Sequence, residues 1–436
     1  MKEKLSRQVF ELSRELEFFT EKELTMQIGH PKEFWYITLL KELIDNSLDA
    51  CEVSDIQPNI TIEQTNEYFS VTDNGLGISP RTIKKSLDFL TRVSDKQFYV
   101  SPTRGQMGNA LKTVWAAPYV ALGRSKVKIE SRGKQHIITT SLDKILQKPQ
   151  IEHDCLSDAN VKNGTSVTVY WSDLASSKDE ETSVFYKAPL TAEELISYYS
   201  IFNPHATFRF KDKTHQATNK EWKKWRTDMP TSAFWYNESR LRDLIAGYIS
   251  IERNENKPKT VREFVSEFRG LSGTQKQKQV IEGFSGVYLH DLLSDGDINV
   301  GIATKLLKAM QEHSKPVKPY SLGLVGEEHM RAWVGEHVKI IPDSFNYVKR
   351  KGIDKENGGE MPYVIEVAFA VKSDHEQSRT IITGLNWSPT LGVPADEISD
   401  AMAKARIDTH DPVVLILHMI KPRFDFTDRG KTRLAL

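Results

Sequence analysis

Glu42, Asn46 and Asp49 are the first residues of the chain whose types and spacing could do chemistry. They lie within residues 41–52, and helical spacing places all three on one face of a predicted helix. A carboxylate can orient and deprotonate water, and an amide oxygen is a suitable ligand for Mg²⁺. The same stripe could also be the solvated face of an ordinary helix.

A second motif, Asp73-x-Gly75-x-Gly77, comes directly at the end of a predicted strand. Its carboxylate could accept a hydrogen bond from an exocyclic amine such as adenine N6, and glycines let the backbone approach a ligand closely. An ordinary Asp-Asn-Gly turn is the alternative interpretation. Thr165 follows Gly164 at the start of another predicted strand, where its hydroxyl could lie beside the same adenine edge. Strand propensity alone also explains a threonine there.

The third motif is a polar segment, residues 103–112, whose glycines precede a predicted helix. Backbone N–H groups at a helix N-terminus, together with the helix dipole, form a phosphate site. The segment has neither Walker A spacing nor the arrangement of a dinucleotide fingerprint. Lys112, one turn into the helix, could add a positive charge near the terminal phosphates.

These motifs need a folded domain to position them, and the composition is that of a globular protein. The chain has 436 residues, with 59 basic and 59 acidic side chains and no formal net charge. A DNA-binding surface, if one is present, must therefore be a local patch. Two cysteines make a disulfide framework or a zinc site implausible. We expect no membrane span, because no long apolar run is present, and a cytoplasmic protein, because the N-terminus lacks a signal core.

Periodicity predicts the elements around the motifs and beyond them. Alternation predicts strands at 59–63, 68–73, 127–141 and 163–170. Helical spacing predicts helices at 238–251, 259–269, 275–283 and 301–313. The last part of the chain is predicted to form adjacent strands at 363–370 and 380–383, a helix at 395–407 and a buried strand at 413–418.

The three motifs with Gly164-Thr165 resemble the ATP-binding fold shared by gyrase, MutL, Hsp90-type chaperones and histidine kinases, called GHKL. Within that group the chain is most similar to the B subunits of topoisomerase VI. Further similar segments follow in order from end to end: Glu17-Phe-Phe19, 41–50, Arg104-Gly-Gln106, Phe202-Asn-Pro-His-Ala206, 264–268, Gly326-Glu-Glu328, 362–367 and 426–431.

The resemblance implies an α+β fold class with three domains. Residues 1–225 would be an N-terminal arm and a GHKL ATPase α/β sandwich. Residues 226–312 would be a small helical helix–two-turns–helix insertion, and residues 313–436 an α/β transducer-like domain. Basic residues of the helical insertion could touch DNA, although interleaved acids also fit a plain solvated surface: Lys257, Lys259, Arg262 and Arg269.

The resemblance also implies ATP and Mg²⁺ and a role for each motif. Glu42 would be the general base, Asn46 would hold Mg²⁺, and Asp73 with Thr165 would read adenine. Lys431 stands where the family carries a switch lysine that reaches the γ-phosphate. The other implied nucleotide contacts are Asp49, Gly75, Gly77, Ser94, Lys96, Gly105, Gln106, Met107, Gly108, Asn109, Ala110, Leu111 and Lys112. Relatives often have a third glycine where Ala110 stands, so we expect altered lid mobility and retained binding.

The implied function is the ATP-hydrolysing subunit of a topoisomerase VI-like type IIB enzyme, an ATP-gated dimeric DNA clamp. Its partners would be DNA, a second copy of the chain and a DNA-cleaving A-type subunit. In the family a long helix after the switch lysine docks that subunit, whereas this chain ends five residues after Lys431. That departure favours the alternative, a stand-alone MutL-like or MORC-like clamp without strand passage.

Two further interpretations belong to other functional classes. A histidine-kinase-type phosphotransferase needs a phosphoacceptor histidine on a dimerisation helix before the nucleotide domain. His30 is the only histidine before Glu42, and it stands next to Pro31. A non-catalytic adenine-nucleotide sensor is the other interpretation, and the presence of Glu42 argues against it.

Overall fold

The structure is a computed structural model of the full chain. It describes residues 18–89, 98–104, 110–143, 145, 148–157, 159, 161, 163–172, 190–284, 287–294, 296–355, 358–374, 378–394, 396–427 and 433–434. Across these residues, none of the helices combines the length and the apolar character needed to cross a membrane.

The larger sheet of the described chain is built from the first eight strands: β1 (Asn59–Gln64), β2 (Tyr68–Thr72), β3 (Ser125–Ser131), β4 (Lys134–Asp143), β5 (Lys148–Leu156), β6 (Thr165–Tyr170), β7 (Thr207–Phe210) and β8 (Lys213–His215). Their order across the sheet is β5-β4-β3-β6-β2-β1-β7-β8. The strands predicted at 59–63 and 68–73 are confirmed, and they pair in an antiparallel ladder with Thr61 opposite Thr72. The stretch predicted as strand-like at 127–141 is an antiparallel hairpin, β3 and β4.

Within the described residues, the first five helices are α1 (Glu21–Ile28), α2 (Trp35–Val53), α3 (Pro80–Ser86), α4 (Ala110–Leu122) and α5 (Ala192–Phe202). Helices α2, α4 and α5 pack on the larger sheet. Leu40, Ile44 and Leu48 of α2 are fully buried, since they recur at helical spacing on the side that faces the sheet. One face of α2 is thereby fixed in the core, which determines where its polar face can point.

The middle of the chain is helical, as predicted, with α6 (Glu238–Glu255), α7 (Val261–Ser266), α8 (Thr274–Ile281) and α9 (Val300–Glu312). A minimal hairpin, β9 (Leu293–Ser294) and β10 (Asp297–Ile298), precedes α9. Three of the four predicted basic residues are engaged by neighbours. Lys259 pairs with Glu267, and the Arg269 guanidinium lies 5.1 Å from the centre of the Trp225 ring. Arg262 Nε donates to Gln277 Oε1 over 3.0 Å.

The last part of the chain adds α10 (Glu327–His337), α11 (Asp396–Lys404) and a second sheet: β11 (Asn346–Asp354), β12 (Met361–Val371), β13 (Thr380–Leu385), β14 (Ser388–Pro389) and β15 (Val413–Ile420). Within the described residues its order is β11-β12-β15-β13-β14. The prediction that 363–370 and 380–383 are adjacent strands is wrong, because β15 lies between them. Strand β15 pairs with β13 in parallel, so α11 lies in a strand–helix–strand crossover between them.

The predicted α+β class is confirmed, since a sheet covered by helices is followed by a helical segment and a second sheet. One hydrophobic core lies under the larger sheet, and another is shared by the helical segment and the second sheet. The domain boundaries at 225 and 312 stay predictions.

Candidate functional site

Helix α2 carries Glu42, Asn46 and Asp49, but the three side chains have different environments. Glu42 is partly buried, Asn46 is exposed and Asp49 is buried. The Asp49 carboxylate accepts a hydrogen bond of 2.7 Å from Arg104 Nη1. Glu42 and Asn46 therefore present polar groups on the accessible side of α2, while Asp49 is held in the interior. The role of Asp49 as a nucleotide contact stays a prediction.

Asp73 follows β2 and is buried, with its carboxylate already oriented by the protein. Its Oδ1 accepts hydrogen bonds from Gly75 N over 2.9 Å and from Thr165 N over 3.2 Å. The Asp73 backbone N–H donates to the Thr165 carbonyl over 2.9 Å. The structure thus brings together the two residues that were predicted to read adenine. Burial raises the pKa of the Asp73 carboxyl, and the hydrogen bonds from Gly75, Thr165 and Ser47 oppose that rise.

Two glycines beside Asp73 are required by the packing of the protein itself. Gly164 has a positive φ of 83°, and a Cβ there would lie 1.9 Å from the Asp73 carbonyl oxygen. Gly77 also has a positive φ, and a Cβ there would lie 2.5 Å from Ser131 Oγ. Only glycine fits such a conformation without strain and clash. The sequence explained these glycines by close approach of the backbone to a ligand. The structure adds a second reason, which is the close packing of neighbouring strand ends.

Ser131 also lies beside Asp73, Gly164 and Thr165, and the sequence did not predict it as a site residue. It ends β3, is fully buried, and its Oγ donates to the Gly164 carbonyl over 3.0 Å. The same Oγ accepts from Ile78 N over 2.9 Å and lies 3.2 Å from Thr165 Oγ1. Ser131 stands opposite Thr165 in the β3–β6 ladder. Its role arises from that register, and no local pattern around a serine before an Arg-Gly turn indicates it.

The predicted phosphate segment is described only in part. Ser94, Lys96, Lys431 and the candidate loop lie outside the described residues, and the loop members are Gly105, Gln106, Met107, Gly108 and Asn109. Helix α4 begins at Ala110, as the sequence predicts, and Leu111 packs against the core of the larger sheet. Lys112 is buried, with its Nζ 5.8 Å from the centre of the Phe18 ring. Its predicted contact with phosphate stays a prediction.

Comparison with known proteins finds a family match over part of the chain. Residues 36–170 match the family described as "Histidine kinase-, DNA gyrase B-, and HSP90-like ATPase". That range contains Asp73, Ser131, Thr165 and all of α2 except its first residue. Residues 36–170 are a GHKL ATPase domain.

The similarity to individual proteins extends beyond the GHKL domain. The chain is 26% identical to the B subunit of type 2 DNA topoisomerase 6 from Metallosphaera sedula, over 96% of this chain and 79% of that protein. It is 23% identical to the B subunit of the same enzyme from Archaeoglobus fulgidus, over 96% of this chain and 69% of that protein. The predicted relationship to topoisomerase VI B subunits is confirmed.

Among solved structures, the B subunit of DNA gyrase from Myxococcus xanthus overlaps 95% of this chain and 88% of its own length. Its TM-score is 0.38 and its sequence identity 12%, values too low to support an inference.

Behind the accessible face of the GHKL domain lies a buried charge cluster centred on Arg104 and Glu52. Arg104 Nη2 donates to Glu52 Oε1 over 2.7 Å, and Nη1 also reaches Asp49. Lys224 and His205 bind the same Glu52 carboxylate, with His205 Nε2 at 3.0 Å. The carboxylates of Asp49 and Glu52 are thus balanced by the cations Arg104 and Lys224. Buried charges are tolerated when they are paired in this way.

The cluster shifts the pKa values of its members in directions that follow from its charges. Burial alone would raise the pKa of Glu52, but the charges of Arg104 and Lys224 hold it well below its usual range. Burial and the neighbouring Arg104 lower the pKa of Lys224 to about 8. Burial also lowers the pKa of His205, which favours its neutral form. In the sequence, parts of this cluster were marked by Asp49, by the motif Arg104-Gly-Gln106 and by the segment 202–206, and none of them indicated the buried ion pairs.

The residues of the GHKL site suit Mg²⁺ bound together with a nucleotide. Asn46 offers an exposed amide oxygen one helical turn from the Glu42 carboxylate, on the same face of α2. Mg²⁺ usually binds through few protein oxygens plus substrate phosphates, so a full protein ligand set is not needed. Within the described parts of the chain, no group of three or more His, Cys, Asp or Glu residues is placed to hold a metal ion.

Proposed function

We propose that this chain is the ATP-binding and ATP-hydrolysing subunit of a topoisomerase VI-like enzyme, and that it works as an ATP-gated dimeric clamp on DNA. The observation that carries the proposal is the pairing of Asp73 with Thr165 next to α2. Ser47 of α2 hydrogen-bonds the Asp73 carboxylate, so the candidate adenine site is joined to the helix that bears Glu42 and Asn46. The similarity to topoisomerase VI B subunits supports the enzyme class.

In this proposal each side chain has a defined task. Asp73 accepts a hydrogen bond from the adenine amine, and Thr165 lies beside the same edge. Glu42 orients water and takes its proton, which requires only a fixed carboxylate in a preorganised site. Asn46 would hold Mg²⁺, which when bound neutralises charge on the phosphate oxygens. Lys431 and the loop at 105–109 are proposed to contact the phosphates.

Binding energy in such a site is used for closure as well as for chemistry. A ligand can shift the equilibrium between open and closed dimers only by its difference in affinity for the two states. Contacts to the γ-phosphate provide that difference, because they exist only until hydrolysis. We therefore expect slow turnover, stimulated by DNA, with nucleotide release or opening limiting the rate.

The proposal is tested by ATP turnover in the wild type and in Glu42→Gln. Removal of a general base lowers turnover by about 10²-fold or more. Calorimetry should show ADP bound as tightly by the variant as by the wild type, because Glu42 acts on water. Glu63→Gln, on an exposed position of β1, is the matched control and should turn over ATP normally. Hydrolysis by Glu42→Gln at the wild-type rate would show that Glu42 is not the base.

A further inference from the structure

The turn between β13 and β14 places two consecutive non-glycine residues in the left-handed region. Asn386 has φ 47° and Trp387 has φ 67°. This pattern is typical of two-residue hairpin turns, where asparagine is favoured but a bulky residue costs about 1–2 kcal/mol. Both residues are buried. The surrounding structure must therefore hold Trp387 in this conformation.

A buried series of hydrogen bonds supports the turn. Trp387 N donates to His418 Nε2 over 3.2 Å, and His418 Nδ1 lies 3.0 Å from Glu366 Oε2. Since Nε2 accepts a hydrogen bond, Nδ1 carries the imidazole proton and donates it to Glu366. Glu366 also accepts hydrogen bonds from Val325 N over 3.0 Å and Gly326 N over 2.8 Å. This series of hydrogen bonds explains why a glutamate stands in the middle of β12.

Asn386 of this turn and Ser388 at the start of β14 each form a hydrogen bond with the GHKL domain. Ser388 Oγ donates to Asp45 Oδ2 over 2.8 Å, a contact between residues 343 positions apart. Asn386 Nδ2 donates to the Thr103 carbonyl over 3.3 Å, just before the candidate phosphate loop. Asn386 is itself fixed by Lys421 N, which donates to its Oδ1 over 3.0 Å.

The contact with Asp45 lies in the turn of α2 that carries the candidate base. Asp45 is next to Asn46 and one turn from Glu42. Tyr199 OH donates to Asp45 Oδ1 over 2.7 Å and lies 3.0 Å from the Lys41 carbonyl. Ser388 and Tyr199 thus hold Asp45 from two sides, one from the second sheet and one from α5.

We propose that Ser388 and Asn386 are positioning residues of the ATPase site. Ser388 fixes the α2 turn that presents Glu42 and Asn46, and Asn386 fixes the backbone at Thr103, which leads into the candidate phosphate loop. The second sheet thereby sets the geometry of hydrolysis without touching the nucleotide. This inference rests on the proposed ATPase function.

The test compares Ser388→Ala and Asn386→Gly with the wild type. Glycine at 386 keeps the left-handed backbone and removes only the amide contacts. Each variant should lower kcat for ATP about tenfold, because small displacements of positioned groups have large effects on rate. The dissociation constant for ADP should change by less than about twofold, since the loss is confined to turnover. Ser388→Thr keeps the hydroxyl and should restore kcat.

Ser344→Ala is the matched control. Ser344 lies before β11 in the same part of the chain, and its hydroxyl bonds Ile341 and Val371, away from α2. Wild-type kcat in both Ser388→Ala and Asn386→Gly would overturn the inference and leave the ATPase function intact. Equal losses of kcat, ADP affinity and melting temperature, without rescue by Ser388→Thr, would overturn it too. A wild-type chain that hydrolyses no ATP would refute the proposed function itself.

Discussion

Asp73 is an acceptor whose position is fixed before any ligand arrives. The peptide groups of Gly75 and Thr165 hold its carboxylate, and Gly77 and Gly164 allow the strand ends to pack tightly around it. Preorganisation of this kind lowers the entropy lost when a ligand binds.

Asp73→Asn should weaken ADP binding by about 1.5–3 kcal/mol, the range for a hydrogen bond to a charged group. The wild-type affinity should also fall on acidification. Because burial raises the pKa of Asp73, its carboxylate gains a proton at a higher pH than an ordinary aspartate does. The protonated oxygen no longer accepts the hydrogen bond from adenine. Calorimetric titration with ADP at pH 7 and at successively lower pH measures the effect.

Asp73→Asn also serves as the control for titration of the nucleotide phosphates. Any pH dependence that remains in that variant belongs to ADP or to other groups. If wild type and Asp73→Asn bound ADP with equal affinity, Asp73 would not be the adenine acceptor.

At the level of elements, the last turn of α2 is held by buried polar contacts. Glu52 joins α2 to Arg104, to Lys224 and to His205 after α5. These contacts fix the helix relative to the segment that leads into the candidate phosphate loop. Removing one partner of a buried ion pair leaves uncompensated charge and costs about 3–5 kcal/mol.

Glu52→Gln should therefore destabilise the protein by about that amount at pH 7. The folded-state pKa of Glu52 is lowered, so its stabilisation is present above its ordinary pKa of 4.5 and is lost as pH falls further. Thermal melting at pH 7 and below pH 4.5 should show a smaller acid-induced drop in Glu52→Gln than in the wild type. The control is Glu282→Gln, at an exposed position after α8.

An unchanged melting temperature in Glu52→Gln at pH 7 would contradict this description of the cluster. A fall of similar size in Glu282→Gln would show that the effect is not specific to buried charge.

The sequence predicted elements and site residues where the signal is local. Neighbouring residues were enough to predict the helix α2, the strands β1 and β2, and the positions of Asp73 and Thr165. Sheet order was not, because the insertion of β15 between β12 and β13 leaves no local trace. Ser131, Arg104 and Ser388 were missed as site residues for the same reason, since their partners are distant in sequence.

At the scale of the whole molecule, the chain is expected to act with partners. Similarity to topoisomerase VI B subunits covers 96% of its length, so the clamp, and not the ATPase domain alone, is the proposed unit. With a DNA-cleaving A-type subunit, the chain should change the linking number of supercoiled plasmid in the presence of ATP. Glu42→Gln with the same A-type partner is the control and should not support repeated cycles. ATP hydrolysis without any change in linking number would favour the stand-alone clamp.

We propose that ATP bound at Asp73 closes two chains into a dimer. Light scattering measures this directly, with the molar mass determined without nucleotide and with a non-hydrolysable ATP analogue and Mg²⁺. We predict a doubling from 49.8 kDa in the wild type when the analogue is added, and no change in Asp73→Asn. A wild-type chain that stays monomeric under both conditions would contradict the claim.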